Sequence, residues 1–385
     1  MTSRRAFLAR SLALGCSAAA SPLITPVTFA SAPGDARLVV IILRGALDGL
    51  DVVRPTGDRH FAGHRPGLAT GESSDLDDFF KLHPALDTLL PLWRAGELSF
   101  AHAVSTPYRD KRSHFDGQDI LEAGVNGPDI GSDGWLNRAL SGLGGVKSDT
   151  AFAIGRENLR LLSGSAPVSV WSPDSWLELS PQAQFLLSRI YSQDPLFRET
   201  AAKAMELSRL SQGSMVPRGR AGRAKSLAQF AANRLREDTR IAAFSITGWD
   251  THANQTASLP RALVELSDAV LTLKTRLGPV WEQTAVLCLT EFGRTVRENG
   301  SRGTDHGTGG AALFAGGALN GKRVMADWPG LRSGDLYQDR DLMPTADIRG
   351  YLAWALHALF PLGRTTLEST VFPGLEMGKD PGLIA

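Results

Sequence analysis

Cysteine is almost absent: Cys16 and Cys288 are the only two in 385 residues. A chain with so few thiols does not rest on a disulfide framework. Net charge is nearly absent as well, +1 with histidine neutral, which argues against a nucleic-acid binder. Long hydrophobic runs are missing too. The apolar, Ala-rich stretch at residues 11–24 falls short of the roughly 20 residues needed to span a bilayer, so no stable membrane anchor is expected. No internal repeat is visible. What remains, 43% hydrophobic and 21% charged residues, is the composition of a globular chain, long enough for one large core or two modest ones.

The amino terminus reads as an address. Ser3-Arg4-Arg5-Ala6-Phe7-Leu8 resembles the twin-arginine export motif, and Thr28-Phe29-Ala30 offers small residues where a signal peptidase cuts. Residues 1–30 are therefore predicted to be a twin-arginine signal peptide, with the twin-arginine translocation machinery as partner and a periplasmic or secreted destination. Cleavage removes Arg4, Arg5 and Arg10 and no acid, taking the net charge from +1 to −2. It leaves Cys288 alone, inside an apolar run, as a buried and inert thiol.

The remaining chain, residues 31–385, alternates strand and helix patterns. The β-branched run at residues 37–43 has the character of a strand buried on both faces. Further strands are predicted at residues 98–104, 150–154, 241–247, 284–290 and 311–315, and helices at 85–95, 224–235, 259–277 and 345–359. Residues 175–238 read as helices inserted between sheet strands, with a basic, Gly-containing break at 212–223 as a solvated loop. This alternation predicts a single α/β domain around a largely parallel sheet.

The runs stop abruptly at chemistry-bearing residues. Residues 37–43 lead through Gly45 to Asp48. Residues 241–247 end in Gly248-Trp249-Asp250-Thr251-His252, and 284–290 in Glu291-Phe292-Gly293-Arg294. A Gly-rich loop then carries Asp305-His306-Gly307. In open α/β sheets ligands bind outside the carboxyl ends of the strands. Asp48, Asp250, His252, Glu291 and His306 form a plausible ligand set for a divalent metal, with Asp305 as an outer group that orients a histidine. Ser113 is placed to cap a helix that begins in Arg112-Ser113-His114-Phe115-Asp116. The bland reading is a cap; the sharper one is a nucleophile at the positive end of the helix, with Arg112 beside it to hold an oxyanion. His60 and His64 read as solvated, His102 as a packed core residue.

Taken together, Leu43-Arg44-Gly45, Arg112-Ser113-His114-Phe115-Asp116, Gly248-Trp249-Asp250-Thr251-His252, Thr290-Glu291-Phe292-Gly293-Arg294-Thr295 and Thr304-Asp305-His306-Gly307 resemble the DUF1501 family. That family looks related to the alkaline phosphatase and sulfatase superfamily. The resemblance implies an alkaline-phosphatase-like three-layer sandwich with helices on both faces. It also implies a metal-dependent hydrolase of phosphate or sulfate esters, using zinc, manganese or calcium on a small-molecule ester. Carried over, Ser113 and Arg112 are catalytic, and Asp305, Arg294 and His114 support the metal or the substrate. Two departures bear on the metal count: Asp250 and His252 are two apart rather than four, and Glu291-Phe292 stands where relatives have an Asp-His pair. Ser105-Thr106-Pro107-Tyr108-Arg109 resembles the sulfatase activation signature, except that Tyr108 replaces a small residue, so a Pro-containing turn is preferred. The alternative function is a catalytically silent relative acting as a periplasmic binding or assembly protein.

Overall fold

The β-branched run predicted at residues 37–43 forms β1 (Arg37–Arg44), at the middle of the main sheet. The computed structural model describes residues 34–172 and 222–385, apart from residues 110, 128–130, 132, 148 and 156–158. The segment predicted to direct export, and the helical patterns between residues 175 and 221, lie outside the described residues.

Beside β1, the main sheet contains β2 (Leu98–Ser105), β3 (Ala151–Ile154), β4 (Ser169–Trp171), β5 (Ile241–Thr247), β6 (Thr284–Leu289), β7 (Gly310–Ala315), β8 (Arg323–Met325) and β9 (Ala346–Asp347). Their order is β8-β2-β7-β6-β1-β5-β3-β4, with β9 beside β2. β7 runs antiparallel to both its neighbours, β2 and β6. The other pairings are parallel. The main helices are α1 (Leu90–Ala95), α2 (His114–Ala123), α3 (Trp135–Ser141), α4 (Arg223–Leu235), α5 (Gln255–Leu277) and α6 (Ile348–Leu359).

Alternation along β1 sorts its side chains into two cores. Val39, Ile41 and Leu43 pack with Phe244, Cys288 and Leu313 beneath α4 and α5. Leu38, Val40 and Ile42 pack with Ala243, Leu287 and Phe314 against α3 and α6. This is a three-layer α/β sandwich with a mostly parallel central sheet. Each fully buried aliphatic side chain contributes about 1.5–3 kcal/mol relative to exposure, and residues 38–43 are all at 0% exposure. Cys288 is buried and free, and burial pushes its thiol pKa up. Among the described residues no helix is long and apolar enough to cross a membrane.

Three local details differ from the sequence reading. The helix predicted over 85–95 begins as a 3-10 turn, Pro84–Leu89, before α1 takes over. Pro91, at the start of α1, has no N–H to continue a ladder from the preceding turn. α5 begins at Gln255 and carries Pro260 inside it, so the apolar periodicity shows only from Leu259 onward. Ser74–Asp75, within a stretch that reads as loop, joins Val53–Arg54 and Lys81–Leu82 in a small antiparallel sheet.

Strand direction decides what meets at the sheet edge. β1, β2, β5 and β6 run the same way, so the residues that follow them emerge together. β7 runs the other way, so the residues that precede it arrive at that same edge. Asp48, Ser113, His114, Asp250, Glu291 and His306 are brought to one side by this arrangement.

Candidate metal centre

The close approach of β1 and β5 depends on one glycine. Gly45 turns the chain at φ +124°, and a Cβ there would stand 2.7 Å from the Asp250 amide nitrogen. No other residue fits this contact without moving the backbone. The Gly45 N–H donates to Glu291 Oε1 at 2.9 Å, tying the ends of β1 and β6 together as well.

Asp250 is the hub of the cluster. Its Oδ1 accepts from Arg294 Nη1 at 2.8 Å, and lies 3.0 Å from His252 Nε2 and 3.2 Å from His306 Nε2. Those two ring nitrogens are 2.9 Å apart. His114 Nε2 faces the other carboxylate oxygen at 3.5 Å. One donor atom each from His114, Asp250 and His306 all lie within 4.8 Å of one another.

The far nitrogen of each ring meets an acceptor. His114 Nδ1 lies 2.8 Å from Glu291 Oε1, His252 Nδ1 3.0 Å from Asp305 Oδ1, and His306 Nδ1 2.8 Å from the Arg112 carbonyl oxygen. Carboxylates and carbonyls only accept, so a neutral ring that donates outward through Nδ1 turns its Nε2 lone pair inward. Arg112 presents its carbonyl from a left-handed backbone, φ +52°, a conformation that is uncommon outside glycine and costly to hold.

The charges follow from these contacts. The hydrogen bond to Glu291 raises the pKa of His114 against the opposing effect of burial. Burial lowers His306. Burial alone would raise Asp250, but the Arg294 hydrogen bond, His252 and His306 outweigh it and hold the carboxylate below its ordinary value. Glu291 is likewise pushed up by burial and brought below its ordinary value by His114, Gln118 and the Gly45 amide. Asp305 is lowered too, with hydrogen bonds from His252 and Asn299 outweighing burial.

Other residues singled out from the sequence sit around the cluster rather than in it. Asp48 is fully buried, and its Oδ2 accepts from Arg65 Nη1 and Gln255 Nε2, each at 2.7 Å. Glu291 turns its carboxylate to His114 and Gln118. Arg112 directs its guanidinium to Asp341 Oδ2 at 3.0 Å. Arg294 is buried; beyond Asp250 it donates to the Thr304 carbonyl and hydroxyl. Ser113 caps α2, its hydroxyl accepting from the Asp116 N–H at 3.5 Å. Ser105 is buried and donates to the Thr106 carbonyl, as a turn residue does.

His114 stands closer to the chemistry than a supporting role implies. The signal was available: it follows the capping serine directly, and β2 delivers it to the edge where the acids gather. Phe292, which occupies a position where a histidine was expected, stacks on the His114 ring with centroids 5.3 Å apart. Arg65 and Gln255 had no sequence signal, since both come from segments without a motif. A separate cavity of about 690 Å³ opens beside Gly248, lined by Ile154, Leu227, Ile246, Arg261 and Val264 among others. None of the cluster's donors lines it.

Comparison with known proteins gives the following. No curated protein matches the chain. Among solved structures, it is similar to a protein of the alkaline phosphatase superfamily from Vibrio parahaemolyticus, at 13% identity and TM-score 0.38 over 79% of this chain and 67% of that one. It is similar to the C-terminal periplasmic domain of EcEptC from Escherichia coli in complex with Zn, at 9% identity and TM-score 0.42 over 94% and 96% of the two chains. The alkaline phosphatase of the Antarctic bacterium TAB5 matches at 10% identity and TM-score 0.36, over 73% and 91%. The model of the family described as protein of unknown function (DUF1501) matches residues 99–365, most of the described chain including all the residues of the cluster, and the chain belongs to that family.

Proposed function

We propose that the protein is an exported, metal-dependent hydrolase of phosphate or sulfate esters. The observation that carries the reading is the convergence of His114, Asp250 and His306 donor atoms within 4.8 Å of one another, with His252 Nε2 2.9 Å from His306. The donor set fits a divalent ion: inward-facing imidazole lone pairs and a carboxylate, each held from behind by a hydrogen bond. The motif resemblance to the phosphatase and sulfatase superfamily supplies the substrate class.

The ion would act as a Lewis acid on the ester and lower the pKa of a bound hydroxyl or water. The chain's own residues do the rest. Arg294 keeps Asp250 ionised and fixed. Glu291, Asp305 and the Arg112 carbonyl hold the three rings in one tautomer. Ser113 lies between two residues that touch the cluster, Arg112 through its carbonyl and His114 through its ring. Its hydroxyl, giving up its proton to solvent, attacks the phosphoryl or sulfuryl centre and displaces the ester's alcohol, which leaves with a proton from solvent, and water then cleaves the seryl ester; or the hydroxyl positions a water that displaces the alcohol directly. The amides at the start of α2 hold the remaining ester oxygens. Asp48 serves outside the ligand set.

The test is turnover of a broad panel of phosphate and sulfate esters by protein stripped with chelator, then reloaded with zinc, manganese or calcium. Turnover that disappears on stripping and returns on loading is expected. Silence on the whole panel with metal bound would replace the hydrolase by the binding or assembly relative. Export is tested separately: Arg4→Lys with Arg5→Lys should leave precursor in the cytoplasm, and normal export of that variant would overturn the address.

A further inference from the structure

Four elements leave a space between them at the carboxyl edge of the sheet. β3 ends at Ile154 and β5 at Thr247, while α4 begins at Arg223 and α5 at Gln255. The cavity of about 690 Å³ beside Gly248 lies among these ends, and its size falls within the range of small-molecule sites. Its walls are mainly apolar: Ile154 and Ile246 come from the strands, Leu227 from α4, Ala262 and Val264 from α5. Val264 is one of three large apolar side chains left exposed among the described residues, at 47%. Scattered singly, such a residue needs no explanation. Here it continues the apolar wall of a concave space.

The uncommitted charge on these walls is positive. Glu265 lines the cavity, but its carboxylate accepts from the Gly222 and Ala224 N–H groups at 2.7 and 3.4 Å, so it is spent on the start of α4. Arg261, one turn earlier on α5, also lines the cavity. It is exposed, and it has no hydrogen bond or ion pair among the described residues. Its guanidinium is free to hold an anion such as a carboxylate or sulfonate. Gly248, at the wall, is two residues before Asp250, a span of at most about 7 Å. One molecule can therefore occupy the cavity and still reach the cluster.

We infer that the cavity receives the alcohol portion of the ester, and that this portion is an apolar, ring-sized group carrying an acidic substituent that meets Arg261. That the ligand is an ester rests on the hydrolase reading; the fit of an apolar anion to the cavity does not. A sugar would turn hydroxyls toward Ile154, Leu227, Ile246 and Val264, whose side chains form no hydrogen bonds, and would lose its own to water. A cationic group would meet Arg261.

The experiment titrates the full chain with anilinonaphthalene sulfonate, an apolar anion that fluoresces in apolar surroundings, and with phenylnaphthylamine, the same rings without the sulfonate. One molecule of the sulfonate per chain is expected. Val264→Glu should weaken both probes by about 10-fold or more, because it sets a carboxylate in the apolar wall. Arg261→Glu should weaken the sulfonate about fivefold, the size of an exposed charge contact reversed, and should not weaken the uncharged probe. Both side chains are exposed, so neither change should disturb the fold. An unchanged melting curve checks this, and separates a built site from the loosened surface that such dyes also report. With esters, a carboxynaphthyl phosphate or sulfate should show a KM about 10-fold or more below that of the methyl ester, and Val264→Glu should erase the advantage. No single dye site, or a site that neither variant weakens, overturns the inference and leaves the hydrolase standing. A dye site as expected beside equal KM values overturns the assignment to the alcohol portion. A dye site as expected with no ester turned over overturns the hydrolase and leaves the cavity as a site for an apolar anion.

Discussion

Arg65 Nη1 donates to Asp48 Oδ2 at 2.7 Å, and both side chains are only 1% exposed. The same guanidinium donates to the carbonyls of Thr295 and Val296, so one side chain ties the end of β1 to the loop that precedes His306. Arg65→Met would leave Asp48 buried with its charge unbalanced. Such a break costs about 3–5 kcal/mol, and urea unfolding should register a loss of that size. A loss below about 1 kcal/mol would mean that the pair does not carry the charge balance of this region.

Gly45→Ala tests the contact on which the cluster is built. The new methyl would meet the Asp250 backbone at 2.7 Å in a φ +124° conformation that L residues rarely adopt. Strain of this kind costs about 1–3 kcal/mol. The ends of β1 and β5 must part, and Asp250 moves with them. A lower melting temperature together with weaker binding of a divalent metal is expected. An unchanged melting temperature would show that the contact is not tight in solution.

How much was legible in the sequence follows from which forces write a pattern there. The buried strands were clear because β1, β5 and β6 are packed on both faces and need unbroken apolar runs. The carboxyl-edge acids were clear because each breaks such a run. The meeting of His306 with the other residues depends on β7 running antiparallel, a matter of long-range pairing that no local spacing encodes. The partners of Asp48 were hidden for a similar reason: Arg65 lies 17 residues away and Gln255 207. The start of α5 was obscured by Pro260, which a helix tolerates near its amino terminus more readily than in its middle.

Stability should fall as the pH drops from about 6.5 to 4, in part because of His102. Burial lowers its pKa to about 4, whereas an unfolded histidine titrates near 6.5. Between those values the unfolded chain takes up a proton that the folded chain does not. The contribution is complete above about pH 6.5, shrinks through the interval and is lost below 4, about 3 kcal/mol in all. His83 and His306 are also lowered by burial and act in the same direction, so the comparison must be with a variant. In His102→Gln the amide can donate to the Val53 carbonyl and accept from the Ala103 N–H, as the ring does at 3.0 and 2.8 Å. Its unfolding free energy should show a shallower slope over this interval. A slope equal to that of wild type would mean that His102 titrates normally.

Ser113→Ala separates a cap from a nucleophile. The hydroxyl accepts from the Asp116 N–H at 3.5 Å, beyond the usual 2.7–3.2 Å for such a bond, so it is a weak cap. Removing it should cost no more than about 1 kcal/mol of stability. Metal binding should be unaffected, because none of the clustered donor atoms of His114, Asp250 and His306 belongs to Ser113. Turnover is different. A hydroxyl that attacks the ester, or orients the attacking water, has no substitute in alanine, and kcat should drop by orders of magnitude in a folded, metal-loaded protein. Single-turnover measurements then show whether the step lost is chemistry or product release. If Ser113→Ala retains turnover within a few-fold of wild type, the serine is only a cap, and hydrolysis proceeds through water held at the metal centre.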